Sequence, residues 1–302
     1  MAVALEPQQT ISRQVSYTGV ALHSGKETRV VFRPAAADTG IVFERADLPG
    51  RPEVRAEIGF VAGSRRCTTL VRDGIVVRTV EHALAALHVM GVDNAVVELH
   101  GEELPVADGS AVVFSEMIAE AGLVGQESER RFTDLPSPVW VSAGGQHLIA
   151  IPAESYRVSY TFVSDHPAIG NQFIEVAVLP GTFVAEIASA RTIGWLSEIE
   201  ELKRQGLALG GSVDIAVVVG ERSIMTPLRY ADEIVRHKVL DLIGDLALVG
   251  RIRAHVIGVR SGHELTAELA RRIRRQHDAR RFQETGPVAG ICELEEAQAL
   301  LR

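Results

Sequence analysis

The segment from Asp232 to Leu246, DEIVRHKVLDLIGDL, constrains this chain more than any other part of it. At about 100° per residue, His237, Lys238, Asp241 and Asp245 fall within one arc of roughly 100°, while Val235, Val239, Leu242, Ile243 and Leu246 occupy the other side. The apolar side demands a core, and the polar stripe sets groups of mixed charge on a largely buried helix. Isolated buried charges are costly, so the stripe needs mutual pairing, water or a metal ion. His237 and Asp241, one turn apart, are spaced to reach a single cation. A solvated face with ordinary i,i+3 and i,i+4 ion pairs is the commoner cause of such spacing and stays open on this segment alone.

A second helix is expected from about Val80 to Met90, where Val80, Leu84 and Leu87 recur at helical spacing and Gly91 ends the run. Thr79 is its expected N-cap. His82 points away from that apolar stripe, and Ala85 and Ala86 leave room for another layer to approach. Glu81 lies in the first turn, where it also complements the helix dipole. Taken with His237 and Asp241, His82 completes a three-ligand zinc set with a fourth position open to water, and an adjacent Glu is what such sites use as a general base. His263 follows a strand that ends in Val259-Arg260-Ser261-Gly262, which delivers it to a surface or cleft, although an isolated histidine is usually an ordinary half-exposed one. Ala190-Arg191-Thr192 reads as a turn with a locally bonded hydroxyl.

Alternating residues from 17 to 34, then Ile41-Val42-Phe43 and Ala95 to Leu99, read as strands. Gly125 to Pro138 (GQESERRFTDLPSP) has the composition of a linker, which divides the chain into an N-terminal domain, 1–127, and a C-terminal domain, 128–302. The second half offers strands at Val139 to Val141, Leu148 to Ile151 and Val158 to Phe162, then a short helix near Phe183 to Ser189. A helix-loop-strand segment from Trp195 to Val219 follows, then the helix from about Asp232 to Val249, a strand from His255 to Val259 and an Arg-rich closing helix. In each half a helix with a metal-type residue near its start runs into a Gly and a Val-rich strand. The expected fold class is therefore α+β, with two similar domains from an internal duplication.

Composition narrows the partners. A chain of 302 residues, 46% hydrophobic and 23% charged, suits a globular protein, and a net charge of -8 argues against a general nucleic-acid binder. Cys67 and Cys292 lie far apart with no CxxC pair, which points away from a disulfide framework and towards a reducing cytoplasm. Met1 to Ser16 contains no apolar leader core, and no run approaches the ~18 residues of a membrane span, so at most transient contact with a membrane surface is expected.

Seven strings occur in fixed order: SYTGVALHSGK (Ser16 to Lys26), RTVEH (Arg78 to His82), PVADGS (Pro105 to Ser110), DHPAIG (Asp165 to Gly170), SART (Ser189 to Thr192), VRHKVLDLIGDL (Val235 to Leu246) and SGHEL (Ser261 to Leu265). In order and spacing the chain resembles the zinc-dependent UDP-3-O-acyl-N-acetylglucosamine deacetylases of lipid A synthesis. The resemblance implies Zn2+ held by His82, His237 and Asp241, with no organic cofactor. It implies Glu81 as general base, His263 as general acid held cationic by Asp245, and Thr192 with Lys238 at the oxyanion. It further implies helices stacked between two sheets, a small insert in each domain, and a monomer whose partner is its small-molecule substrate.

In the second insert, Ile193 through Gly220, the resemblance places an apolar passage for the fatty-acyl chain, drawing on Ile193, Trp195, Leu196, Ile199, Leu202, Leu207, Ala208, Leu209, Ser212, Ala216 and Val218. An amphipathic helix packed on its own sheet would show the same stripe. Arg260, where a Lys is usual, keeps positive charge near the expected diphosphate. Ile193 replaces a usual aromatic, and Val163-Ser164 replaces a usual Asp-Phe pair at the uridine contact. A zinc amidase for another acylated amino sugar would need the same metal set. A non-catalytic nucleotide-sugar-binding descendant would show an eroded one, whereas Glu81, His263 and all three ligand residues are present.

Overall fold

The computed structural model describes residues 6–63 and 66–285; Cys292 lies outside them. Two five-stranded sheets dominate. The first runs in the order Val15–Val20, Glu27–Pro34, Ala95–His100, Ile41–Arg45, Glu53–Arg55, and the second in the order Val139–Ala143, Gln146–Pro152, Ala254–Val259, Arg157–Phe162, Gln172–Ala177. In each, the central strand is the last in sequence, and it pairs antiparallel on one side and parallel on the other. Alternation sets the faces. Val30 pairs with Leu99 and Phe32 with Val97, all buried. On the opposite face Arg33 meets Glu44 at 2.8 Å and Arg51 meets Glu98 at 2.6 Å.

Six α-helices lie among the described residues: α1 (Glu81–Val89), α2 (Val112–Ala121), the single turn α3 (Pro180–Thr182), α4 (Leu196–Arg204), α5 (Glu233–Leu246) and α6 (His263–Thr285). None is long and apolar enough to cross a membrane. The result is a mixed fold of helices and several sheets, as an α+β chain should give. α1 is Ala-rich and buried nearly all round; it packs on α2 and α5, and α5 packs on α6 and on Arg157–Phe162. One cluster of buried apolar side chains draws on both halves, from Phe32 and Leu84 to Leu148, Leu240 and Leu269. Small elements flank each sheet: a three-stranded sheet at Val61–Gly63, Thr69–Arg72 and Ile75–Arg78, and a parallel pair, Thr192–Trp195 with Ala216–Val219, beside α4.

Three sequence expectations are corrected. Thr79 does not cap α1: its backbone is left-handed (φ 56), the preceding residue of the helix is Val80, and the Thr79 hydroxyl bonds Glu103 Oε1 at 3.2 Å instead. The polar stretch after Gly125 is not all linker, because Leu123–Glu129 is a strand paired with Pro7–Ile11; it reads as polar because most of its side chains stay exposed. The short helix expected near Phe183 to Ser189 is a π-helical turn, Phe183–Ile187, continuing α3. α2, with Phe114, Met117, Ile118 and Ala121 buried at helical spacing, is an element the sequence reading passed over.

Candidate metal centre and active site

α1 and α5 cross where Gly244 faces the first turn of α1, and that crossing brings His82 to the polar stripe of α5. The His82 and His237 rings meet edge to face, with centroids 5.1 Å apart. Both Nε2 atoms face Asp241 Oδ1, at 3.6 Å for His82 and 3.2 Å for His237. One ligand atom from each of the three lies within 4.8 Å of the others, and all three residues are buried. The solvated-face reading of the stripe therefore fails.

These residues fit a metal cation. Asp241 Oδ1 is buried and has no hydrogen-bond partner, a costly state for a carboxylate oxygen facing two imidazoles unless a cation sits between them. His237 Nδ1 donates to the Ala190 carbonyl at 3.0 Å, which leaves the Nε2 lone pair free to coordinate. Burial pushes the His237 imidazole down to about 4, past the opposing pull of Asp241, so the ring is neutral as a ligand must be. Burial would raise Asp241, but His237, Lys238 and His263 hold it well below the usual carboxylate value.

Further charged groups surround the cluster. Lys238 Nζ donates to Asp241 Oδ2 at 2.8 Å; burial alone would lower this ammonium, and Asp241 with Tyr160 raises it instead. His263 Nδ1 donates to Asp245 Oδ2 at 2.7 Å, while its Nε2 stands 3.8 Å from Asp241 Oδ2. Burial opposes the charge on His263, yet Asp245 and Asp241 carry it up to about 10. Glu81, buried at the start of α1, is raised by burial against the pull of His263 and His82.

A cavity of about 200 Å³ opens on these groups, lined by Leu22, Arg66, Cys67, Thr79, Glu81, His82, Phe162, Thr192, Ile193, Trp195, His237, Lys238, Asp241 and His263. The family model described as LpxC, UDP-3-O-acyl N-acetylglycosamine deacetylase, matches residues 8–275. The chain belongs to this deacetylase family. It is 40% identical over 297 residues to the UDP-3-O-acyl-N-acetylglucosamine deacetylase of Geobacter sp. (strain M21), covering 95% of this chain and 97% of the relative. The proteins of the same name from Trichormus variabilis and Marinobacter nauticus are 44% identical over 273 residues and 42% over 277, covering 88% and 90% of this chain and 98% and 91% of theirs.

Within this family member the other expected site residues are distributed unevenly. Thr192 reaches the cavity because its N–H donates to the Gly109 carbonyl at 2.8 Å and its neighbour Arg191 is clamped by Glu233 at 2.8 Å. Gly109 is required there: its φ is 81, and a Cβ would lie 1.7 Å from the Ile215 carbonyl oxygen. Ile193 and Trp195 line the cavity and share one face of the parallel pair with Val217 and Val219; Ala216 and Val218 lie on the other face. Leu196, Leu209 and Ser212 are exposed, and Ile199, Leu202, Leu207 and Ala208 are half-buried. Arg260 is exposed, in a left-handed conformation (φ 55), and is not among the cavity's lining residues. The sequence marks Arg191 within the SART string but gives no sign of its partner Glu233, nor of Phe162, Arg66 and Thr68 near the centre.

Proposed function

We propose that the chain hydrolyses the acetamide of UDP-3-O-acyl-N-acetylglucosamine to acetate and UDP-3-O-acyl-glucosamine, the committed step of lipid A biosynthesis, with Zn2+ as its metal. The observation that carries this reading is the unpaired Asp241 Oδ1 between two imidazoles, with Glu81 and His263 on the same cavity, in a chain of the deacetylase family. His82, His237 and Asp241 would hold the ion as a nitrogen- and oxygen-donor set with one position left open. A bound zinc supplies a water of lowered pKa and polarises the substrate carbonyl.

The remaining work falls to side chains. Glu81 takes the proton of the attacking water, and its raised pKa brings it closer to that task at neutral pH. Lys238, anchored on Asp241, and the Thr192 hydroxyl offer a cation and a donor to the oxygen that gains charge as the carbonyl carbon becomes tetrahedral. His263, protonated and oriented by Asp245, gives its proton to the leaving nitrogen as the C–N bond breaks. The acyl chain lies along the second insert, from Ile193 and Trp195 towards Leu196 and Ile199, and Arg260 meets the diphosphate.

The matching strand orders of the two sheets support an internal duplication, and the packing of α2 on the first sheet and of α5 and α6 on the second supports helices stacked between them, with the division near residue 127, just before the strand Leu123–Glu129 ends. On this reading the enzyme works in the cytoplasm as a monomer, with the nucleotide sugar as its partner, no nucleic-acid partner and at most a passing membrane contact. The test is acetate release from UDP-3-O-acyl-N-acetylglucosamine. It should stop on chelation and return with zinc; release that survives exhaustive metal removal contradicts the reading.

A further inference from the structure

We propose that Thr68 is a positioning residue that ties the base and the acid of this reaction into one unit. Thr68 lies between Cys67 and the strand Thr69–Arg72 of the three-stranded sheet and is only 2% exposed. Each of its three polar groups is used by the catalytic elements. Its N–H donates to Glu81 Oε2 at 3.0 Å, its carbonyl accepts from Val80 N at 3.4 Å, and its hydroxyl donates to Asp245 Oδ1 at 2.5 Å. Asp245 Oδ2 in turn receives the His263 Nδ1 proton. One residue therefore binds a carboxylate at the head of α1 through its backbone N–H and, through its hydroxyl, a carboxylate on α5 that lies 177 positions further along the chain.

The consequence is directional. The Thr68 hydroxyl occupies Asp245 Oδ1, which fixes the rotation of that carboxylate and leaves Oδ2 aimed at His263, the way outer partners orient the groups that touch substrate. The Thr68 N–H occupies Glu81 Oε2 and leaves Oε1 to meet the water. Thr68 itself is absent from the cavity wall, so it acts through Glu81 and His263 and not on the substrate. This rests on the base and acid roles given above for those two residues.

The experiment compares Thr68→Val, which keeps shape and removes the hydroxyl, with Thr68→Ser, which keeps the hydroxyl. Removing a donor from a buried carboxylate should lower kcat in Thr68→Val by about 10-fold or more. KM and zinc content should stay near the parent's, the melting temperature of Thr68→Val should fall by a few degrees for the lost buried bond, and Thr68→Ser should restore most of kcat. In metal-free protein, the proton resonance of His263 Nδ1 should shift in Thr68→Val and not in Thr68→Ser. Parental kcat with an unshifted resonance in Thr68→Val overturns the inference. So does equal loss in both variants, which would mark a packing role. Glu81→Gln and His263→Gln serve as controls: if either keeps parental turnover, the base and acid reading itself has failed, whatever Thr68 does.

Discussion

Gly244 of α5 lies so close to Glu81 of α1 that a Cβ at position 244 would stand 2.0 Å from the Glu81 carbonyl oxygen. The obstacle is backbone, which no rotamer change relieves. The distance between the two helices, and with it the separation of His82 from His237 and Asp241, is thus set by a missing side chain. Gly244→Ala should force α1 and α5 apart, destabilise the protein by about 1–3 kcal/mol as overpacking does, and weaken zinc binding. Denaturant unfolding and a zinc titration check this; parental values in both would show that the crossing does not define the site.

The Arg191–Glu233 pair should hold Thr192 in place at considerable energetic stake. Glu233 is fully buried and accepts from Arg191 Nε at 2.8 Å, from Arg191 N at 3.0 Å and from Arg229 N at 2.6 Å. Glu233→Ala strands a buried guanidinium, at a cost of about 3–5 kcal/mol. Burial would raise the Glu233 carboxyl, but Arg191 and the two N–H groups hold it below 4.5. A depressed folded value means that its contribution is present above 4.5 and lost as pH falls through the folded value. Thermal melts of parent and variant should therefore differ at neutral pH and converge in acid; a constant difference would contradict the assignment.

His263 should set the alkaline side of the pH profile. It acts as an acid, so activity falls as pH rises through its pKa, which Asp245 and Asp241 hold up at about 10 against burial. A cation bound at Asp241 weakens that residue's share, and the limb of the loaded enzyme lies below 10. Asp245→Asn removes the direct partner and leaves burial to act, so the alkaline limb of kcat/KM should move to lower pH. A limb that stays in place in Asp245→Asn would assign the proton to another group.

The polar stripe of α5 and the three-residue metal set were legible because each follows from spacing on one helix or from a short motif, whereas the crossing of α1 and α5 was not. His237, Asp241 and Asp245 share a face at any register of an α-helix, and His82 stood off its own apolar stripe. The supports were not legible. Thr79 looks like a helix cap, but Glu103, far along the chain, competes for its hydroxyl and a left-handed backbone takes it out of capping position. Thr68 sits in an unremarked CTT run, and its meaning comes from Asp245, 177 positions distant. The part of the strand Leu123–Glu129 from Gly125 onward read as a linker because a strand with most of its side chains in solvent carries no apolar alternation. In the second insert, apolar composition was visible but the pairing of Thr192–Trp195 with Ala216–Val219 was not, and it is that parallel register which sets Val217 beside Ile193 and Val219 beside Trp195.

The most direct test of a metal hydrolase with Glu81 as its base is the paired measurement of zinc content and turnover in Glu81→Ala and His237→Ala. Glu81→Ala should retain one zinc per chain yet lose about 100-fold or more in acetate release, the scale of general base catalysis, whereas His237→Ala should lose the metal together with the activity. A Glu81→Ala protein that turns over at the parental rate, or a His237→Ala protein that keeps its full zinc, would contradict the account.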